Sequence, residues 1–213
     1  RWKMASFHDN GQPYVNTEHL FDFSQEFIND YFPYCIEMAR AFVQPKYQSA
    51  QAGRKALFAL DNLWDGIGGL IATDPSVKYL AGKVTIYSSS PELSRKAMIY
   101  YLDMCFGDRK GLITSKNPET CTPEQVEMFK EMFTGADYKE NYQILNNYVK
   151  SFGDTIPPLI HSYIGLSSTM KTFGTTFDPD FGDCYDTAMI ITIADIYQEK
   201  RERYIDSYHA SNQ

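Results

Sequence analysis

Apolar positions recur along the chain with two periods, and the switches between them outline the fold. Over residues 53–71, Leu57, Leu60, Trp64, Ile67 and Ile71 keep the three-or-four spacing of one buried helical face, and Asp74-Pro75 ends the run. Upstream, residues 34–43 read as a strand that Gln44-Pro45 terminates; downstream, 78–87 read as a second strand with Val84 and Ile86 on one face. Ser88-Ser89-Ser90-Pro91-Glu92 then starts a helix over 91–106, with Leu93, Ala97, Tyr100 or Tyr101, and Met104 turned inward. Thr122-Pro123-Glu124-Gln125 is a helix start, residues 126–133 and 141–152 are helical, and Gly153 is a stop. A short helix begins at Pro157-Pro158. Residues 170–177 and 185–193 read as strands joined by a turn over 178–183, and a charged helix over 198–208 closes the chain, with Glu199, Arg201, Glu202 and Arg203 on a solvated face.

The opening is less regular. Residues 1–8 read as a strand already under way, so further chain before Arg1 is expected. Residues 9–13 form a reversal with Asn-Gly and Pro chemistry, Asn16 or Thr17 caps a short helical turn, and 21–32 is amphipathic until Pro33 breaks it. Strand, small-residue loop, helix, strand, helix predicts an α/β (α+β) architecture: a mixed sheet flanked by helices in a single domain, with 107–155 a helical insertion over the sheet.

Composition narrows the function. A length of 213 residues, 43% of them hydrophobic and 22% charged, is an ordinary globular balance. The net charge of −7 argues against non-specific nucleic-acid binding, which needs a basic surface to displace counterions. Cys35, Cys105, Cys121 and Cys184 make no C-x-x-C pair, which fits reduced cytosolic thiols better than disulfides or a zinc site, and no metal is expected. No run reaches the roughly 18 apolar residues of a membrane span, so the expected location is cytoplasmic, at most peripheral to a membrane.

One stretch concentrates chemistry. The strand over 34–43 delivers the backbone to Lys46-Tyr47-Gln48-Ser49-Ala50-Gln51-Ala52-Gly53-Arg54-Lys55, and the helix begins there. Unpaired N–H groups and a positive dipole at a helix start favour a phosphate, small residues let it approach, and Lys46, Arg54 and Lys55 add three cations.

Together with Glu37-Met38-Ala39-Arg40, Ala59-Leu60-Asp61-Asn62-Leu63-Trp64-Asp65-Gly66, Ile156-Pro157-Pro158-Leu159-Ile160-His161-Ser162-Tyr163 and Asp178-Pro179-Asp180-Phe181, this stretch resembles the hemolysin-like branch of the GNAT acyltransferase superfamily over nearly the whole chain. That branch includes N-acyltransferases that make ornithine-lipid and glycine-lipid precursors and N-acyl amino acids. Ala39 stands where the branch's E-[LI]-G-R motif has glycine, and Gln51 stands where the usual carrier loop has its first glycine. The resemblance implies a GNAT-like fold lacking its N-terminal strand and helices. It further implies transfer of a long-chain acyl group from an acyl-phosphopantetheine donor, acyl carrier protein or acyl-CoA, to the amine of a small amino acid beside the inner membrane face. The imperfect loop favours acyl carrier protein.

Amide formation needs a neutral amine and a protonated leaving thiolate. Glu37 is the candidate base; in a strand it and Arg40 point to opposite faces, which frees Glu37 from a local ion pair. The resemblance places a thiolate-protonating tyrosine at Tyr101, a core aromatic being the alternative. Donor contacts are expected from Val43, Lys46, Gln48, Gln51, Ala52, Gly53, Arg54 and Lys55. Acceptor contacts are expected from Arg40, Asp61, Asn62, Asp65, His161, Tyr163, Asp178 and Asp180. Two rivals follow from the same residues: a cysteine hydrolase using Cys105 or Cys184 with His161, disfavoured because neither cysteine sits at a strand-to-helix elbow, and a non-catalytic acyl-chain or acyl-carrier-binding module. For the enzyme, the strands ending near Val43 and Tyr87 should splay apart above the helix that starts at Gly53.

Overall fold

The computed structural model describes residues 6–39 and 54–208, with residues 54–61 as backbone only. Its centre is the strand β3, Tyr79–Tyr87, in which small and branched residues alternate between half-buried and buried positions. β3 pairs along its whole length, antiparallel, with Cys184–Thr192, which becomes β6 below. On its other side Cys35–Met38, strand β2, runs parallel to Tyr79–Gly82. β3 therefore continues to Tyr87 beyond the last described pairing with β2, and the expected splaying near Val43 lies outside the described residues.

The strand β5, Lys171–Asp178, completes a mixed sheet of order β2-β3-β6-β5. Its register with β6 shifts between Thr172 and Thr175, where Gly174 takes φ 83°, a left-handed backbone that glycine accepts without strain. A second, two-stranded sheet joins β1, Phe21–Phe23, to β4, Ile113–Ser115.

Helices cover one face of the main sheet. The helix α1, Arg54–Thr73, ends just before Asp74-Pro75, and its Trp64 and Ile71 share a core with Ile36, Leu80 and Ile191. The helix α2, Glu92–Phe106, adds Met98 and Leu102 to that core. The helices α3, Pro123–Met132, and α4, Tyr138–Ser151, pack outside α2; Thr122 caps α3 in a reciprocal box with Gln125, and Asp137 caps α4. The short helix α5, Pro158–Ile164, contributes Ile160 and Tyr163. At the end of the chain α6, Gln198–Arg201, widens into a π-helical turn over Glu202–Asp206 that lies on α1. Among the described residues no helix is long and apolar enough to cross a membrane.

Two sequence expectations are corrected. Residues 21–32 are not one helix: Phe21–Phe23 pair with Ile113–Ser115, and only residues 25–32 are helical before Pro33. Phe-Asp-Phe alternates with the strand period as well as it fits a helix, and a partner strand far along the chain decides between them. The same pairing puts a strand, β4, into the 107–155 stretch expected to be helical. Of the expected strand 1–8, the described part makes a single bridge, Phe7 to Pro13.

Candidate active site

Strand parity positions the candidate base. In β2, Ile36 enters the helix-covered core, whereas Cys35 enters a second core built from Leu20, Phe21, Phe27, Phe32, Leu112 and Ile113 on the other face. Glu37, two residues from Cys35, leaves the sheet on that second face. Both carboxylate oxygens accept from the Asn16 backbone N–H, at 3.0 Å each. The nearby Thr17 amide and hydroxyl favour its ionised form as well. Burial nevertheless outweighs these bonds and the nearby Lys83 charge, and it pushes the Glu37 carboxyl above the ordinary carboxylate range. The result is a half-buried carboxylate with raised basicity.

Glu37 borders a largely apolar pocket whose lining includes Tyr14, Thr17, Phe27, Phe32, Ala81 and Ala188. Its volume among the described residues is about 40 Å³; at roughly 10–15 Å³ for a water, it admits a body of a few atoms.

Beyond Glu37 the same face carries a buried ion cluster. Lys83, on β3, has a side chain 18% exposed, and its ammonium bonds Asp186 on β6 and reaches Asp178 on β5 at 3.3 Å. Thr85 donates to Asp186 at 2.6 Å, and the Asp180 amide donates to Asp178 at 3.1 Å. His19 Nε2 stands 3.7 Å from Asp178. Burial opposes the charge on Lys83, but the bonds to and charges of Asp186 and Asp178 outweigh it and raise the Lys83 pKa. The two acids move apart: burial raises Asp186, whereas Lys83 and the Asp180 amide hold Asp178 low against its own burial. Sequence reasoning missed Lys83 and Asp186. The signal was available, since a lysine and an aspartate inside two apolar strands must be partnered.

The remaining expected residues fall elsewhere. Tyr101 is fully buried and donates its hydroxyl to the Tyr138 carbonyl at 2.8 Å, with burial pushing its pKa far up. Tyr163 is buried edge-on against Trp64, on the helix-covered face, with its hydroxyl close to Gly82. His161 is exposed, 3.2 Å from the Tyr142 hydroxyl. Asn62 and Asp65 are exposed on α1, and so is Asp180. The structure thus brings Glu37 and Asp178 to one face and does not bring Tyr101, Asn62 or Asp65 to it. Arg40, Val43, Lys46, Gln48, Gln51, Ala52 and Gly53 lie outside the described residues, as do the side chains of Arg54, Lys55 and Asp61.

The Tyr101 geometry has a measurable outcome. Tyr101→Phe deletes one buried hydrogen bond, which should cost about 0.5–1.5 kcal/mol in a denaturant titration and leave turnover at the wild-type rate. A large loss of turnover with unchanged stability would restore Tyr101 to the chemistry.

No family model and no solved structure matches the chain. It is 43% identical over 204 residues to a glycine N(alpha)-acyltransferase of Phocaeicola vulgatus, a match covering 96% of this chain and 62% of that protein. It is 42% identical over 206 residues to a glycine N(alpha)-acyltransferase of Bacteroides thetaiotaomicron, covering 97% and 61%. The chain thus spans about three-fifths of the length of these relatives.

Proposed function

We propose that this protein transfers a fatty acyl group from a carrier thioester to the amine of a small amino acid, glycine first among them. The observation that carries the reading is Glu37: a carboxylate of raised basicity, held by the Asn16 amide at the edge of a pocket sized for a small acceptor. The names of the two relatives support the acceptor, and the resemblance to hemolysin-like GNAT enzymes supports the reaction class.

At neutral pH the acceptor arrives as an ammonium ion. Glu37 takes one proton from it, and the freed lone pair attacks the thioester carbon. As the new C–N bond persists and the C–S bond breaks, the second nitrogen proton goes to the thiolate. A carboxylate at its ordinary pKa would be a poor match for an amine; burial brings Glu37 closer to the operating pH. We take the donor to be acyl carrier protein or acyl-CoA, with its phosphate at the α1 N-terminus among Lys46, Arg54 and Lys55, and the setting to be the cytoplasm beside the inner membrane, where an acylated product partitions.

The test is incubation with a palmitoyl carrier thioester or palmitoyl-CoA and isotopically labelled glycine. The expected result is N-acylglycine formed one-for-one with free thiol, with leucine and phenylalanine as poor acceptors. Thioester binding without amide formation under any amine would overturn the proposal in favour of a binding module.

A further inference from the structure

The pocket beside Glu37 exists because of what the sheet leaves out. Glu37 is in register with Ala81 on β3, and Ala188 on β6 stands diagonal to Ala81, since Ala188 pairs with Lys83 and Ile190 with Ala81. Both alanines line the pocket. The neighbouring positions on the same sheet face carry Cys35, Tyr79, Lys83 and Ile190, so the two methyl groups mark a gap in a surface of larger side chains. Over that gap lie Phe27 and Phe32, 2% and 4% exposed, with ring centroids 6.2 Å apart. Phe27 also stacks on Phe23 at 5.5 Å, and Phe32 packs edge-on against Phe7 at 5.0 Å. Further rings therefore hold the roof in place, and the ladder of β2, β3 and β6 holds the floor.

We propose that Ala81 and Ala188, facing Phe27 and Phe32 across this pocket, are specificity-determining residues that select glycine among amino-acid acceptors by excluding any side chain on the α-carbon. The assignment rests on the reading that Glu37 receives the acceptor amine here.

Glycine cannot be chosen by attraction. Alanine offers the same ammonium and carboxylate and adds a methyl group, and burying that methyl in an open apolar site would favour alanine by about fourfold. A preference for the smallest acceptor therefore requires a wall that does not yield. Protein interiors are packed to near-crystalline density, so a group too large for its site must displace the atoms around it. Here those atoms belong to rings packed against one another and to the backbone of paired strands. The space is about 40 Å³, against roughly 10–15 Å³ for one water, so a bare α-carbon fits beside Glu37. Each additional carbon has to displace Phe27, Phe32 or the sheet.

The experiment compares kcat/KM for glycine and L-alanine, with a palmitoyl carrier thioester or palmitoyl-CoA as donor. Ala188→Val fills the gap with a residue that strands accept readily; kcat/KM for glycine should fall at least about tenfold, within the range that overpacking costs, while the donor KM keeps its wild-type value. Phe32→Leu removes part of the roof, and the alanine-to-glycine ratio of kcat/KM should rise at least about tenfold, the scale on which one methylene is discriminated. General damage lowers both acceptors together and leaves that ratio unmoved. Where either variant fails to fold, Ala81→Val replaces the first and Phe27→Leu the second. A wild-type kcat/KM for glycine in the filled variant, a loss carried by the donor KM instead, or a wild-type ratio in the opened variant overturns the inference. A protein that acylates no amine is a different failure: it removes the proposed reaction itself, whereas glycine acylation with an unmoved ratio removes only the selection by size.

Discussion

Glu37→Gln is expected to lower turnover by about 10²–10⁴-fold, the usual contribution of a positioned base, while the protein melts at the wild-type temperature. The amide is nearly isosteric, and its oxygen can still accept from the Asn16 N–H that bonds Glu37 at 3.0 Å. The loop over β2 therefore keeps its anchor. What disappears is a proton acceptor whose affinity burial has raised. The loss should appear in the rate at saturating glycine, because the amide still borders the pocket and occupies the same volume. It should also abolish the acid limb of the pH profile, since the group that titrates there is gone. Wild-type turnover with every amine tested would make Glu37 structural and leave deprotonation to Asp61 or to water.

The largest expected effect on stability is at Gly68. A Cβ built there would lie 1.8 Å from the Tyr204 carbonyl oxygen and 2.5 Å from the carbonyl carbon, both backbone atoms that cannot rotate away. This is where the C-terminal π-helical turn crosses α1. Gly68→Ala must therefore push the two segments apart, and a cost of about 3 kcal/mol is expected, the upper part of the range for overpacking. Gly66 is the internal control. It is exposed on the same helix with nothing within 4 Å of its virtual Cβ, so Gly66→Ala should stabilise by about 0.5–1 kcal/mol through helix propensity alone. Thermal melts of the two variants should move in opposite directions, Gly68→Ala downward by roughly 6–12 °C. A melt for Gly68→Ala within a degree of wild type would mean that the crossing is not close-packed in solution.

What the sequence revealed follows the strength of the local signals. The 53–71 periodicity with its Asp-Pro stop, the 78–87 alternation and the Ser-Ser-Ser-Pro helix start each settle their own element, and α1, β3 and α2 lie where they point. Phe21–Phe23 does not settle its own, because its pairing with Ile113–Ser115 is a tertiary fact that a window of ten residues cannot contain. Parity in β2 was enough to direct Glu37 away from Arg40 and onto one face, and that face carries the pocket. Helical spacing left Tyr100 and Tyr101 as alternatives; the wrapping of α4 around α2 selects Tyr101 for full burial. That Lys83 and Asp186 need partners was legible; that they partner one another and Asp178 was not, for a geometrical reason. They sit on three strands, and only the register, with Thr85 opposite Asp186 and Asp178 opposite Cys184, brings them together.

The central pairing of β3 with β6 also governs how the protein is made. Lys83 and Asp186 are 103 positions apart, and α2, α3, α4 and α5 are all laid down between them during synthesis. Loop closure over that distance delays the central pair relative to the helices, which form from local contacts. Until β6 arrives, Lys83 has neither carboxylate and its ammonium remains in water, so the half-made sheet gains little by closing over it. Docking of β6 supplies the antiparallel neighbour of β3, the Ala188 wall of the pocket and the counter-charge in one event. The pairing that completes the central sheet is then the same one that completes the face around Glu37.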